Sequence, residues 1–185
     1  MKTQKSEDLI IDLTKRVNES IEAVKSLQQL DQTLLNARLN EQSWSALECI
    51  EHLNRYGAFY IPEINQRLKS AKKENAENFK STWLGNYFAV SLLPKEKLNK
   101  MKTFKSMNPM GSQLDHSTIT TFLQQQTELL GLLELAKTVN LNRVKTNISI
   151  SKWIKLKCGD TFRVVIYHNQ RHLEQAQRAI KNGRK

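Results

Sequence analysis

Residues 160–183 read DTFRVVIYHNQRHLEQAQRAIKNG, and within them Phe162, Val165, Ile166, Leu173, Ala176 and Ile180 fall at the three- and four-residue intervals of one helix face. This spacing predicts a helix that follows Asp160 and is ended by Gly183. Its polar residues include a pair of histidines four positions apart, His168 and His172. At about 100° and about 1.5 Å per residue, such a pair lies only about 40° and about 6 Å apart, so both imidazoles can converge on one point. Val165, Ala176 and Ala179 share the same strip, which turns the pair inward or to the rim of a cleft.

Three further segments carry the same periodicity. A first helix is expected from an N-cap at Ser6 to about Leu30, with Ile10, Leu13, Val17, Ile21, Val24 and Leu27 as its apolar stripe. A second begins at Ser45, where Ser45-Ala46-Leu47-Glu48 fits a capping box and Trp44 can act as the hydrophobic staple. Leu47, Ile50, Leu53, Tyr60, Ile64 and Leu68 form its apolar side, and Pro62 is expected to bend or break it. A third follows Ser117 with Ile119, Phe122, Leu123, Leu129, Leu130, Leu133 and Ala136. The only hint of β alternation is a short piece near Val144 to Ile150. These readings give an all-α fold, a four-helix bundle, over a single domain of 185 residues.

The stretch from about Lys69 to His116 is too long for a structureless loop. Short helices are expected around Trp83 to Leu93 and Lys95 to Phe104, separated by Pro94 and closed by Asn108-Pro109-Met110-Gly111. The bundle thus has a long crossover between its second and third helices and need not be up-down-up-down.

Composition narrows the class. Apolar residues make up 39% and charged residues 25%, enough apolar surface for a packed core and too much for disorder. The start, Met1 to Leu13, lacks a signal-peptide core, and the weakly polar stretch Trp83 to Pro94 is far short of the roughly 20 apolar residues that span a bilayer. A cytoplasmic protein without a membrane segment is expected. Cys49 and Cys158 are too few for a disulfide framework and are read as reduced, buried thiols. The formal charge of +11 attracts anions at long range but names no partner.

His52 lies in line with Cys49, Tyr56 and Phe59 on the second helix, beside the Leu47 and Ile50 stripe, so it too faces inward. Three inward imidazoles each have two polar nitrogens to satisfy, and a shared divalent ion is one partner that serves all three. Three neutral imidazoles suit zinc or nickel and leave coordination positions open, as catalytic sites do. The alternative is a chance pair on the fourth helix and a hydrogen-bonded core histidine on the second. Glu48 is a candidate to orient His52, although the capping box claims the same side chain, and Tyr56 to point its hydroxyl at a metal-bound ligand. Asn169, on the inward line between Ile166 and Leu173, needs either a hydrogen bond across the bundle or a pocket contact. His116, in a loop before Ser117, is read as exposed.

Trp44-Ser45-Ala46-Leu47-Glu48-Cys49-Ile50-Glu51-His52-Leu53 resembles the second-helix motif of the DinB/YfiT-like metalloenzyme superfamily, and Gly159-Asp160-Thr161-Phe162-Arg163-Val164-Val165-Ile166-Tyr167-His168-Asn169-Gln170-Arg171-His172 resembles its fourth-helix motif. Trp83-Leu84-Gly85-Asn86-Tyr87-Phe88 and Asn108-Pro109-Met110-Gly111-Ser112 are similar to a DinB-like subgroup. The resemblance covers nearly the whole chain. It implies a four-helix bundle with an unusual crossover, a nickel, zinc or other divalent-ion site on His52, His168 and His172, and frequent homodimers. It also implies either a metal-dependent hydrolase or a thiol S-transferase that uses low-molecular-weight thiols, acting on a small molecule. The competing class is a non-catalytic basic module that binds nucleic acid or another anion through Lys95, Lys97, Lys100, Lys102 and Lys105. Their alternation with Leu98, Met101 and Phe104 equally fits a solvated helix face lying on the core, and the aromatics there do not form stacking platforms, so nucleic acid is not the expected partner.

Overall fold

The computed structural model describes residues 3–94 and 103–183. Among the described residues the chain is mostly helical, with six α-helices. Four helices are long: α1 (Ser6–Lys25), α3 (Ala46–Lys69), α5 (Ser117–Ala136) and α6 (Cys158–Gly183). Two are short: α2 (Gln32–Asn36) and α4 (Trp83–Ser91). Helix α3 packs against both α5 and α6, and α1 packs against the same two. The apolar stripes meet in the middle. Every residue named above for the stripes of α3 and α6 is buried, and Ile21, Leu123 and Leu130 alone among the rest keep part of their surface open.

The capping box of α3 forms as expected, with Ser45 Oγ accepting from the Glu48 N–H and Glu48 accepting from the Ser45 N–H. Pro62 does not end α3, which continues to Lys69. The cost of the missing N–H is offset by burial of Ile61, Ile64 and Leu68 around it.

Several expectations need correction. Ser6 does not cap α1: Lys5 holds the N-cap position without a side-chain bond, and Ser6 Oγ donates instead to Ala76 O at 2.6 Å. Helix α1 stops at Lys25, because Leu27, Gln28 and Leu30 donate to carbonyls three residues back and tighten the chain into turns. Leu27 is buried all the same, so the periodic stripe outlasts the helix. His116 is half-buried, its Nε2 3.1 Å from Leu30 O.

The all-α reading also misses two small antiparallel sheets. In one, β1 (Thr3–Lys5) pairs with β2 (Asn78–Lys80). In the other, β3 (Lys145–Ile148) pairs with β4 (Ser151–Lys157), which runs straight into α6. The Val144 to Ile150 hint is therefore one arm of a hairpin. Its second arm buries only Leu156 fully, so no clean alternation marks it.

Between α3 and α5 the expected helix at Trp83 appears as α4. The expected helix from Lys95 to Phe104 lies outside the described residues except for Thr103 and Phe104, which are not helical. A 3-10 turn (Lys105–Met107) follows, and Gly111, at φ +82°, takes the left-handed conformation that glycine adopts without strain. Among the described residues no helix is long and apolar enough to cross a membrane.

Candidate metal centre

Because α3 and α6 are neighbours, the inward histidine of one faces the inward pair of the other. The ligating atoms of His52, His168 and His172 all lie within 4.8 Å of one another. The Nε2 atoms of His52 and His168 are 3.2 Å apart. Two nitrogens on one tetrahedral zinc, at Zn–N of about 2.05 Å, would be separated by roughly 3.3 Å, so this pair already has the spacing of shared ligands. His172 sits with its ring centroid 4.5 Å from that of His52 and 4.6 Å from that of His168.

The second nitrogens are held as well. His52 Nδ1–H donates to Met107 O at 2.7 Å, and His172 Nδ1–H donates to Gln175 Oε1 at 3.0 Å. Those bonds select the tautomer in which Nε2 keeps its lone pair. Burial pushes the His52 imidazole down to about 4, helped by the charge of Arg55 and opposed by the Met107 bond. Burial first, and His52 next, push His172 down to about 3, and burial and its two partners hold His168 well below the ordinary value. All three rings are neutral at pH 7, so protons do not compete for their lone pairs. Three neutral imidazoles fit a borderline-soft divalent ion and leave positions open.

Two aromatic rings flank the cluster. Trp44 lies with ring centroids 4.7 Å from His52 and 5.7 Å from His172, while Tyr56 lies 4.9 Å from His52 and 4.8 Å from His168. Trp44 was readable only as a helix staple; its place over the imidazoles depends on how α3 and α6 meet. The Met107 carbonyl carries no side-chain signal at all. Gln175, three residues after His172, was open to detection by spacing.

The supporting candidates fall out differently. Glu48 is fully committed elsewhere. Its two oxygens accept from both Arg38 nitrogens that face it, from the Ser45 N–H at 2.9 Å and from the Gly111 N–H at 2.7 Å. Met107, not Glu48, bonds the Nδ1 of His52. Asn169 donates across the core to Gln126 Oε1 at 3.0 Å, the first of the two roles expected of it. Cys49 and Cys158 are free, buried thiols, their pKa raised by burial. Of the lysine run, only Lys105 is among the described residues; it is exposed and opens the turn that ends at Met107.

No curated protein and no solved structure gives a significant match to this chain. A family model does match: the one described as the DinB superfamily spans residues 16–176, from α1 into the last third of α6 and across all three histidines. The chain belongs to the DinB superfamily.

Proposed function

We propose that this protein is a metalloprotein in which His52, His168 and His172 hold one divalent ion, nickel or zinc. On this reading it is a metal-dependent hydrolase or a low-molecular-weight-thiol S-transferase acting on a small molecule. The observation that supports it is the convergence of three neutral imidazoles from α3 and α6 on one point, two of them with their far nitrogens tied down. A bound divalent ion would supply Lewis acidity, activating a water for hydrolysis or a thiol for transfer. The chain's own part is to hold the rings neutral and oriented and to wall the site with Trp44 and Tyr56. The commitment of Glu48 favours transfer, since hydrolysis commonly needs a base for the water, whereas a thiolate is already the nucleophile. In fold terms we read α1, α3, α5 and α6 as the family's four-helix bundle, residues 70–116 as its crossover, and the whole chain as one such domain.

His52 tests this reading, being the ligand farthest in sequence from the other two. His52→Ala is expected to weaken nickel and zinc binding by more than the roughly 10- to 100-fold that loss of an outer partner costs. If His52 were an ordinary core histidine, affinity would be unchanged and only stability would fall, by about 1–3 kcal/mol for the cavity and lost hydrogen bond. Isothermal titration beside a denaturant melt of the same variant separates the two outcomes.

The family resemblance further leads us to propose a homodimer. Light scattering at micromolar concentration is expected to return twice the 21.4 kDa chain mass, and a monomer mass would refute it.

A further inference from the structure

We infer that Arg55 is a positioning residue for His52, acting through the turn that carries Met107. This rests on the metal reading above but is tested separately from it. Arg55 and His52 lie three residues apart on α3 and therefore on one face. The Arg55 guanidinium brackets Met107: Nη1 donates to the carbonyls on either side of it, Asn108 O at 2.8 Å and Ser106 O at 3.5 Å, while Nη2 reaches Ser112 Oγ at 3.3 Å. The carbonyl between them, that of Met107, is the one that accepts from His52 Nδ1–H. Nε of Arg55 is braced by Glu51 Oε1 at 2.9 Å, so the fork has little freedom to turn.

The bracket matters because, among the described residues and apart from the His52 bond itself, no other side chain of α3 bonds this turn so close to Met107. Glu48 holds the same loop farther on, at the Gly111 N–H, and Trp44 Nε1–H donates to the Asn108 side chain at 3.2 Å. Neither constrains the carbonyls flanking Met107. A free neutral histidine prefers its proton on Nε2, the atom that here faces His168 Nε2 at 3.2 Å. The Met107 carbonyl reverses that preference by drawing the proton to Nδ1. Arg55 thus determines, at one remove, whether Nε2 of His52 carries a lone pair or a proton.

The test uses the full-length chain as wild type, Arg55→Met and a control, Arg67→Met, which removes an ion pair of the same kind farther along α3, with Glu63. Long-range proton–nitrogen correlation at neutral pH reads the tautomer of His52 in the metal-free protein, and isothermal titration reads nickel affinity. Arg55→Met is expected to move His52 toward the Nε2–H tautomer and to weaken nickel binding about tenfold, the lower end of what outer partners contribute. Arg67→Met is expected to change neither. An unchanged Nδ1–H tautomer in Arg55→Met, or an equal loss of nickel affinity in Arg67→Met, overturns the inference. Should the wild type bind no nickel, the metal reading fails and the tautomer measurement still decides the role of Arg55.

Discussion

Asp160→Ala is expected to destabilise the protein by about 3–5 kcal/mol, the loss that follows when one partner of a buried ion pair is removed and the other is left behind. Asp160 is fully buried in the first turn of α6, where its charge also suits the helix dipole. It accepts from Ser81 Oγ, from the Thr82 N–H at 3.0 Å, from Thr82 Oγ1 at 3.1 Å and from Arg163 Nη1 at 3.4 Å. Ser81 and Thr82 sit at the start of α4, so the carboxylate fastens the segment between α3 and α5 to the helix that bears two of the three histidines. The fit is close: a Cβ on Gly85 would meet Asp160 Oδ2 at 2.2 Å. Against a total stability of about 5–15 kcal/mol for a domain, the loss would be large. Urea unfolding of the variant measures it, and a change below about 1 kcal/mol would mean that the network is not what secures this segment.

That role was not legible in the sequence, where Asp160 appeared only as a helix start. An acidic residue before an apolar period signals an N-terminus from local spacing alone, whereas its partners Ser81 and Thr82 lie almost eighty residues away. The same division runs through the fold. The stripes of α3, α5 and α6 were readable because burial on one helix face imposes a period that any window of the chain displays. The strand pair β1 with β2 was not, because each has three residues and takes its stability from a partner some seventy residues distant. Ser6 shows how local signals mislead: a hydroxyl at a plausible cap position found a better acceptor in Ala76 O.

His168→Ala and His172→Ala are each expected to abolish tight nickel and zinc binding while leaving far-ultraviolet circular dichroism essentially unchanged. On the proposed reading each variant would lose one of three bonds to the ion, and two imidazoles without a third hold divalent ions loosely. The fold should survive because Phe162, Val165, Ile166, Leu173, Ala176 and Ile180, which anchor α6, do not depend on the ligands. Removing a poorly solvated imidazole also relieves burial of a polar ring, which limits the stability loss. Undiminished metal stoichiometry in both variants would remove the three-histidine site from consideration.

The site was more legible than the fold's connections. Four-residue spacing brought His168 and His172 together on geometry alone, and periodicity turned His52 inward. What periodicity left open was whether His52 faces the same cleft, since that depends on α3 and α6 being neighbours. The Met107 carbonyl and the bracket made by Arg55 were beyond reach, being contacts across more than fifty residues in which the acceptors are backbone atoms.

The proposed site requires His52, His168 and His172, from two helices, to retain one divalent ion. Metal analysis by mass spectrometry of the untagged, full-length protein, equilibrated with nickel or zinc and freed of unbound ion, tests it most directly. One equivalent of ion per chain is expected in the wild type and far less than one in His168→Ala; no ion retained by the wild type, or a full equivalent retained by the variant, would rule the three-histidine site out.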